Sequence, residues 1–145
     1  MLRRQAILLL AASAAGALVP RAWAQEVSPD FAPGQMWSLK SYPAKVIVGI
    51  IEPWFDTTVV HVSVLDIPGG IISQVSHLPI EKPALAASVD QLLSRDAKTL
   101  QGFEAEYQEW KANPGSGIFS SRVPQTIALL IKNKNLAAPP AAVGQ

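Results

Sequence analysis

The chain has 145 residues, a formal net charge of +1 and no cysteine. This length supports one hydrophobic core, and the lack of cysteine excludes disulfides, thiol catalysis and thiolate metal or iron–sulfur sites. Beyond residue 24 the net charge is −2, because three arginines precede that point. No basic cluster remains apart from Lys132 and Lys134, so binding to nucleic acid is not expected.

Residues 1–24 have the pattern of a cleavable export signal. Arg3 and Arg4 supply the positive start, residues 6–19 are apolar, and Ala-Trp-Ala at 22–24 is a small-x-small cleavage site. The apolar stretch is shorter than the roughly 18–20 residues that span a bilayer, which favours cleavage over retention as an anchor. The paired arginines resemble a twin-arginine signal, although a general secretory signal can begin in the same way. We therefore predict a periplasmic or secreted bacterial protein that does not span the membrane after cleavage.

The remaining chain divides by composition into three parts. Residues 25–34 are polar and contain Pro29 and Pro33, which predicts a flexible leader. Residues 137–145, AAPPAAVGQ, have no apolar period and are predicted to be a disordered tail. Between them, residues 35–136 have the length of a single globular domain, and no internal repeat is visible.

Four segments in the first half of this domain have the pattern of β-strands. QMWSLK is short and precedes a break at 41–43. Residues 45–52 alternate with β-branched side chains on both faces, which indicates a central strand. One face would carry Val46, Val48 and Ile50, and the other Ile47 and Ile51. TTVVHVSVLDI follows the loop 53–56, and IISQVSHLPI returns after a predicted type II turn at 67–70, where glycine tolerates a positive φ.

The apolar period then changes to that of a helix. A first helix would begin near Pro83 and bury one face: Leu85, Val89, Leu92 and Leu93. A second would end at 113–114 and bury three aromatic residues at i, i+4 and i+7: Phe103, Tyr107 and Trp110. A third would begin near Pro124 and bury another apolar stripe: Ile127, Leu130 and Ile131.

Strands followed mostly by helices predict the fold class. We expect an α+β domain: a curled antiparallel sheet of four to five strands with about three helices packed on one face. GSGIFSS, residues 115–121, is the candidate fifth strand. Glu106 and Glu109 would share the solvated side of the second helix, opposite its aromatic residues.

The segment VVHVSVLD brings His61, Ser63 and Asp66 close together in sequence. Along a strand His61 and Ser63 would share one face about 7 Å apart, while Asp66 would point away from both. A Ser-His-Asp triad needs direct hydrogen bonds among the three, and no G-x-S-x-G elbow is present to expose a serine nucleophile. We therefore predict a structural histidine and no catalytic residues. The weaker alternative is a catalytic set of His61, His77 and Asp66.

His77 is the second of the two histidines. If the third and fourth strands pair around the turn at 67–70, His61 lies opposite Ser76 or His77. Two facing imidazoles could bind zinc or another divalent ion together with a carboxylate such as Asp66 or Glu52. No third ligand follows from the spacing, and no phosphate-binding or dinucleotide-binding motif is present. We therefore predict no metal and no cofactor.

EPWFDT places Trp54 and Phe55 in a tight connection between acidic residues. Aromatic residues are enriched among the anchors of protein interfaces, so these two are the candidate partner-binding residues. Alternatively, their rings fold back and cap the open end of the sheet. Trp37, Tyr42 and Phe119 could extend the pair into a larger aromatic patch.

Taken together, these features favour a small exported cell-envelope protein that binds or inhibits a protein partner and has no enzymatic activity. One alternative is a periplasmic hydrolase or metal-dependent enzyme that uses His61 and His77 with a carboxylate. A second alternative is a carrier that holds a small apolar ligand between sheet and helices.

Overall fold

The computed structural model describes residues 29–113 and 115–137. The predicted export signal and residues 138–145 of the predicted tail lie outside these ranges. All of the elements below belong to the unit Phe31–Gln145.

Five strands form one open antiparallel sheet in the order β4-β3-β2-β1-β5. The strands are β1 (Met36–Leu39), β2 (Tyr42–Trp54), β3 (Thr57–Leu65), β4 (Val75–Glu81) and β5 (Val89–Ser94). The helices of the described ranges are α1 (Lys82–Ser88), α2 (Phe103–Lys111) and α3 (Val123–Ala137). The predicted α+β class is confirmed, with five strands and three helices.

β2 is longer than predicted and contains a β-bulge at Gly49. Its last two residues, which we expected in a loop, pair with β3, so only Phe55 and Asp56 connect the two strands. Val48 pairs with Val62 and Ile50 pairs with His61, which leaves Gly49 as the extra residue. The bulge reverses the alternation of side chains for the rest of β2.

The reversal corrects the predicted faces of β2. We placed Ile50 with Val46 and Val48, but after the bulge it is Ile51 that packs against the same core as those two valines. Glycine suits the bulge, because a Cβ on Gly49 would overlap the ring of Phe103 in α2.

β5 takes the place of the second half of the first predicted helix. α1 ends at Ser88, and residues 89–94 pair with β1 instead of continuing the helix, so that part of the helix prediction is wrong. Ser88 stabilises the change of direction: its Oγ donates to Ala84 O at 2.7 Å and accepts from Val123 N at 2.9 Å. Pairing with β1 also satisfies the backbone of this segment.

Residues 115–121 do not form the predicted fifth strand. A single bridge joins Phe119 to Ile80, through bonds from Phe119 N to Pro79 O and from Glu81 N to Phe119 O, both 2.9 Å. The segment therefore covers part of the outer edge of β4, which would otherwise expose unpaired backbone groups.

The connection between β3 and β4 is wider than the predicted turn. Gly69 has the expected positive φ, 104°, but β4 begins only at Val75, and Ile67 N donates to Ser73 O across the loop. The longer loop shifts the register. His61 pairs with Pro79, and the prediction that it lies opposite Ser76 or His77 is wrong.

Helices cover both faces of the sheet. α1 and α3 cover an aliphatic face, whose buried side chains come from four elements: Val46, Val48, Val60, Val62, Val64, Leu85, Val123 and Ile127. Side chains alternate along β3, so His61 and Ser63 point to the opposite face, where Phe103 and Tyr107 of α2 are buried. The expectation of helices packed on one face therefore holds for α1 and α3, while α2 covers the other face.

The folded unit also includes residues that we assigned to the leader. The ring of Phe31 is buried in the aliphatic core and meets Trp37 edge to face at 5.7 Å. Gly34 N donates to Val48 O at 2.9 Å. Three further aromatic residues pack against this core: Trp37, Tyr42 and Phe119. They therefore do not extend Trp54 and Phe55 into the larger aromatic patch that we considered.

Candidate functional site

His61 is the central member of a hydrogen-bonded chain across three strands. It lies in the middle of β3 and is completely buried. Its Nε2 is 2.8 Å from Oε2 of Glu52 in β2, and its Nδ1 is 2.8 Å from Nε2 of His77 in β4. The two imidazole planes are nearly parallel, at 15°. We call these residues the Glu52–His61–His77 chain.

Helix α2 supplies two more members of the network. The hydroxyl of Tyr107 donates to Glu52, with O···O distances of 3.1 and 3.3 Å to the two carboxylate oxygens. Lys111, one turn further along α2, donates to the Tyr107 hydroxyl at 3.2 Å and lies 3.7 Å from Oε1 of Glu52. The hydrogen bond to Tyr107, together with attraction to Glu52, raises the pKa of Lys111. The Glu52 carboxylate thus accepts hydrogen bonds from His61 and Tyr107 and forms an ion pair with Lys111.

The hydrogen-bond network assigns the tautomers of both histidines. A carboxylate can only accept, so Nε2 of a neutral His61 carries its proton and Nδ1 must accept. Nε2 of His77 is then the donor to His61, which leaves Nδ1 of His77 without a proton. In the part of the chain that the structure describes, this nitrogen has no hydrogen-bond partner.

Both imidazoles are weak bases in this environment. Burial lowers the pKa of His77 to about 4, and the neighbouring His61 contributes in the same direction. Burial also lowers the pKa of His61, although the hydrogen bond and the charge of Glu52 oppose the effect. The pair is therefore neutral at pH 7.

Ser63 and Asp66 do not join this chain. The Oγ of Ser63 donates to Ser76 O at 2.7 Å and accepts from Leu100 N at 3.0 Å. Both hydrogen bonds of this hydroxyl are therefore made with backbone groups. Asp66 is exposed just beyond β3 and forms an ion pair with Lys45 at 3.0 Å. Of the carboxylates that we considered, Glu52 is the one that contacts His61.

His77 also lines a cavity of about 420 Å³. The cavity lies beside α2 and the segment that follows it, and its other lining residues are Glu106, Glu109, Trp110, Asn113 and Ser116. The acidic residues of α2, expected only to be solvated, thus lie on the same cavity as a histidine with an unprotonated nitrogen. Among the described residues, no three His, Asp or Glu side chains are arranged to hold a metal ion.

A second feature lies at the turn between β2 and β3. Phe55 is 91% exposed and meets the half-buried Trp54 edge to face, with ring centroids 5.1 Å apart. Trp54 in turn contacts Trp110 of α2 at 4.9 Å. We call Trp54, Phe55 and Trp110 the aromatic tip. A groove of about 370 Å³ runs along it, lined also by Glu52, Pro53, Lys111 and Asn113.

Trp110 connects the two features. Its ring lies 4.6 Å from that of His61, at 73°, and its Nε1 donates to Gly117 O at 2.8 Å. The aromatic stripe of α2 was predicted from its spacing, but the spacing alone did not show that it faces histidines. An isolated glycine in a strand is a known signal for a bulge, and at Gly49 it could have indicated that Glu52 shares a face with His61.

No protein-family model, no curated protein and no solved structure matches the chain. None of the described helices is long and apolar enough to cross a membrane. The fold and the site together define an α+β domain with a Glu-His-His chain centred on the buried His61, next to an exposed aromatic tip.

Proposed function

We propose that this protein is a small exported domain of the bacterial cell envelope that binds another envelope protein through its aromatic tip. The observation that carries this proposal is the exposure of Phe55, 91%, at the end of a hairpin whose neighbouring rings are packed. The signal-like pattern of residues 1–24 supports the location.

Phe55 is unfavourable in two ways for the isolated domain. Its apolar ring is in contact with water, and its backbone φ is 52°, in the left-handed region that non-glycine residues rarely adopt. Such a conformation costs on the order of 1 kcal/mol, and glycine or asparagine would adopt it more easily. A phenylalanine at this position is explained if the ring is buried by a partner, since burial offsets both costs.

The tip has the properties of an interface anchor. Trp54 and Trp110 hold the hairpin end in place through ring contacts at 4.9 and 5.1 Å, so little side-chain freedom is lost when a partner binds. The adjoining groove of about 370 Å³ can accept an apolar side chain of the partner. Aromatic side chains in such positions contribute a large share of binding energy.

A catalytic role of the histidines has less support. A base with a pKa of about 4 accepts a proton poorly at neutral pH, and both ring nitrogens of His61 are already used in hydrogen bonds. Burial favours the neutral form of both imidazoles, which suits hydrogen bonding better than proton transfer.

Site-specific photo-crosslinking in cells tests the proposal. A photo-reactive amino acid replaces Asp56, which is exposed beside Phe55, or Leu129, which is 47% exposed on α3. We expect a discrete crosslinked protein from position 56 and none from position 129. Phe55→Asn in the position-56 protein should remove the crosslink.

The same Phe55→Asn variant supplies the stability control. Asparagine tolerates a positive φ, so we expect the free energy of unfolding to stay within about 0.5 kcal/mol or to rise slightly. If Phe55→Asn keeps the crosslink, the ring does not anchor the partner. If the variant lowers the free energy of unfolding by several kcal/mol, the ring is part of the fold. Either result would contradict the proposal.

A further inference from the structure

The cavity beside the aromatic tip has a different chemistry from the tip itself. Six residues line it, and none of them is lysine or arginine. Glu106 and Glu109 contribute two carboxylates from α2, and Trp110 contributes an aromatic ring. Lys111, on the same helix, is directed to Tyr107 and Glu52 and lines the groove instead.

The Glu52–His61–His77 chain determines what His77 offers to this cavity. Each hydrogen bond of the chain points toward Glu52, so the proton of His77 is on Nε2 and its Nδ1 can only accept. A histidine free to change tautomer could accept or donate. Here the hydrogen bonds to His61 and Glu52 hold one tautomer, so Nδ1 of His77 can accept a hydrogen bond but cannot donate one.

An acceptor nitrogen, two carboxylates and an aromatic ring are complementary to an organic cation. Charged N–H groups form the strongest hydrogen bonds with carboxylates, and their positive charge is attracted to an indole face. Lysine and arginine present such groups at the end of a long apolar stem, and a cavity of about 420 Å³ has room for either.

We propose that this cavity binds the cationic end of a lysine or arginine side chain, presented by the protein partner of the aromatic tip. The inference rests on the proposed function and specifies the chemistry of the partner. Trp110 and Asn113 line both the cavity and the groove, so the two sites are adjacent. The partner segment therefore carries an apolar residue for the groove and a basic residue for the cavity.

NMR titration with small probes tests the cavity without knowledge of the partner. The probe is Nα-acetylarginine amide, and its uncharged isostere Nα-acetylcitrulline amide is the control ligand. We expect the arginine probe to shift the Trp110 indole N–H and the ring nitrogens of His77, with binding that weakens as salt is added. Citrulline should bind about tenfold more weakly, which is the loss expected for one charge-assisted hydrogen bond.

Variants assign the binding to the cavity. Glu106→Gln and Glu109→Gln should each weaken the arginine probe severalfold, and both together about tenfold or more. Glu104→Gln is the matched control, because Glu104 lies on α2 but hydrogen-bonds Gln108 and does not line the cavity. His77→Phe should reduce binding, and His77→Gln, whose amide can donate to His61 and still offer an acceptor, should restore part of it. Should His77→Phe fail to fold, the shift of His77 Nδ1 in the unmodified protein gives the same information.

The two proposals fail in different ways. If citrulline binds as well as arginine, or if Glu104→Gln weakens binding as much as Glu106→Gln, the cation site is wrong, whatever crosslinks form at position 56. If the arginine probe binds as expected but no crosslink depends on Phe55, the assignment to a protein partner is wrong together with the proposed function. Phe55→Asn should leave the arginine probe unaffected.

Discussion

The two faces of the sheet are both buried, but by different interactions. On the face of α1 and α3, aliphatic side chains pack around Val60, Val62 and Val64, and such contacts have no direction. On the face of α2, His61 is equally buried but is held by hydrogen bonds of 2.8 Å to Glu52 and His77. An aliphatic core is destabilised when a buried side chain is shortened, whereas a polar network is destabilised when a buried donor or acceptor is left without a partner.

The difference also bears on where the candidate sites lie. The aliphatic face is built mainly from buried apolar side chains, which offer a ligand few hydrogen-bonding groups. The α2 face carries the cavity beside His77 and the groove along the aromatic tip, and the hydrogen-bonded chain gives its histidines fixed donor and acceptor roles. The candidate sites therefore lie on the face that is held together less by aliphatic packing and more by directional hydrogen bonds.

The largest effect is expected on the aliphatic face. Leu85 of α1 is completely buried there, and Leu85→Ala should lower the free energy of unfolding by about 3–4 kcal/mol, through lost burial and the cavity that remains. Leu129→Ala on the exposed side of α3 is the control and should cost less than about 1 kcal/mol. Urea denaturation measures both. Equal losses would show that α1 is not a main part of the core.

A smaller effect is expected from acid on the α2 face. The pKa of His77 is about 4 in the folded protein and near 6.5 when unfolded, so between these values the unfolded chain binds more protons. Stability should thus be unaffected by this group above pH 6.5 and fall as the pH decreases toward 4, by about 2–3 kcal/mol. The pKa of His61 is lowered as well and acts in the same direction.

Paired denaturation curves isolate this contribution. His77→Gln has no imidazole to protonate, so its stability should decrease less than that of the unmodified protein between pH 6.5 and 4. Carboxylates elsewhere contribute equally to both curves and cancel in the difference. Parallel curves would contradict the burial of His77 against His61.

The smallest loss of stability is expected from variants of Glu52, which separate the contribution of its packing from that of its hydrogen bonds. Glu52→Ala leaves His61 Nε2–H buried without an acceptor and should lower the free energy of unfolding by about 1–3 kcal/mol. Glu52→Gln keeps an acceptor oxygen for His61 and should cost less. If both variants lose the same stability, packing and not hydrogen bonding dominates this face. Denaturation at pH 7 measures the difference.

Much of the fold follows from local patterns in the sequence. In three segments the spacing of the apolar residues fits only one type of secondary structure, so the elements could be predicted. These are the strands at 45–52 and 57–65 and the helix α2 with its aromatic stripe. Residues 89–94 could not be predicted in this way, because their apolar spacing also fits a helix. The strand forms through pairing with β1, about 50 residues earlier in the chain, and this long-range contact overrides local periodicity.

The candidate site shows the same division. Local sequence patterns were enough to place both histidines on strands, to place Trp54 and Phe55 at the end of a hairpin, and to give α2 one aromatic and one acidic side. The contact between Glu52 and His61 depends instead on long-range packing, because the bulge at Gly49, beneath Phe103, reverses the alternation of side chains along β2. The contact between His77 and His61 likewise depends on the pairing of β3 with β4, because the length of the loop before β4 sets the register. Both outcomes depend on how strands align across the sheet, and a change of one residue in that alignment moves a side chain to the opposite face.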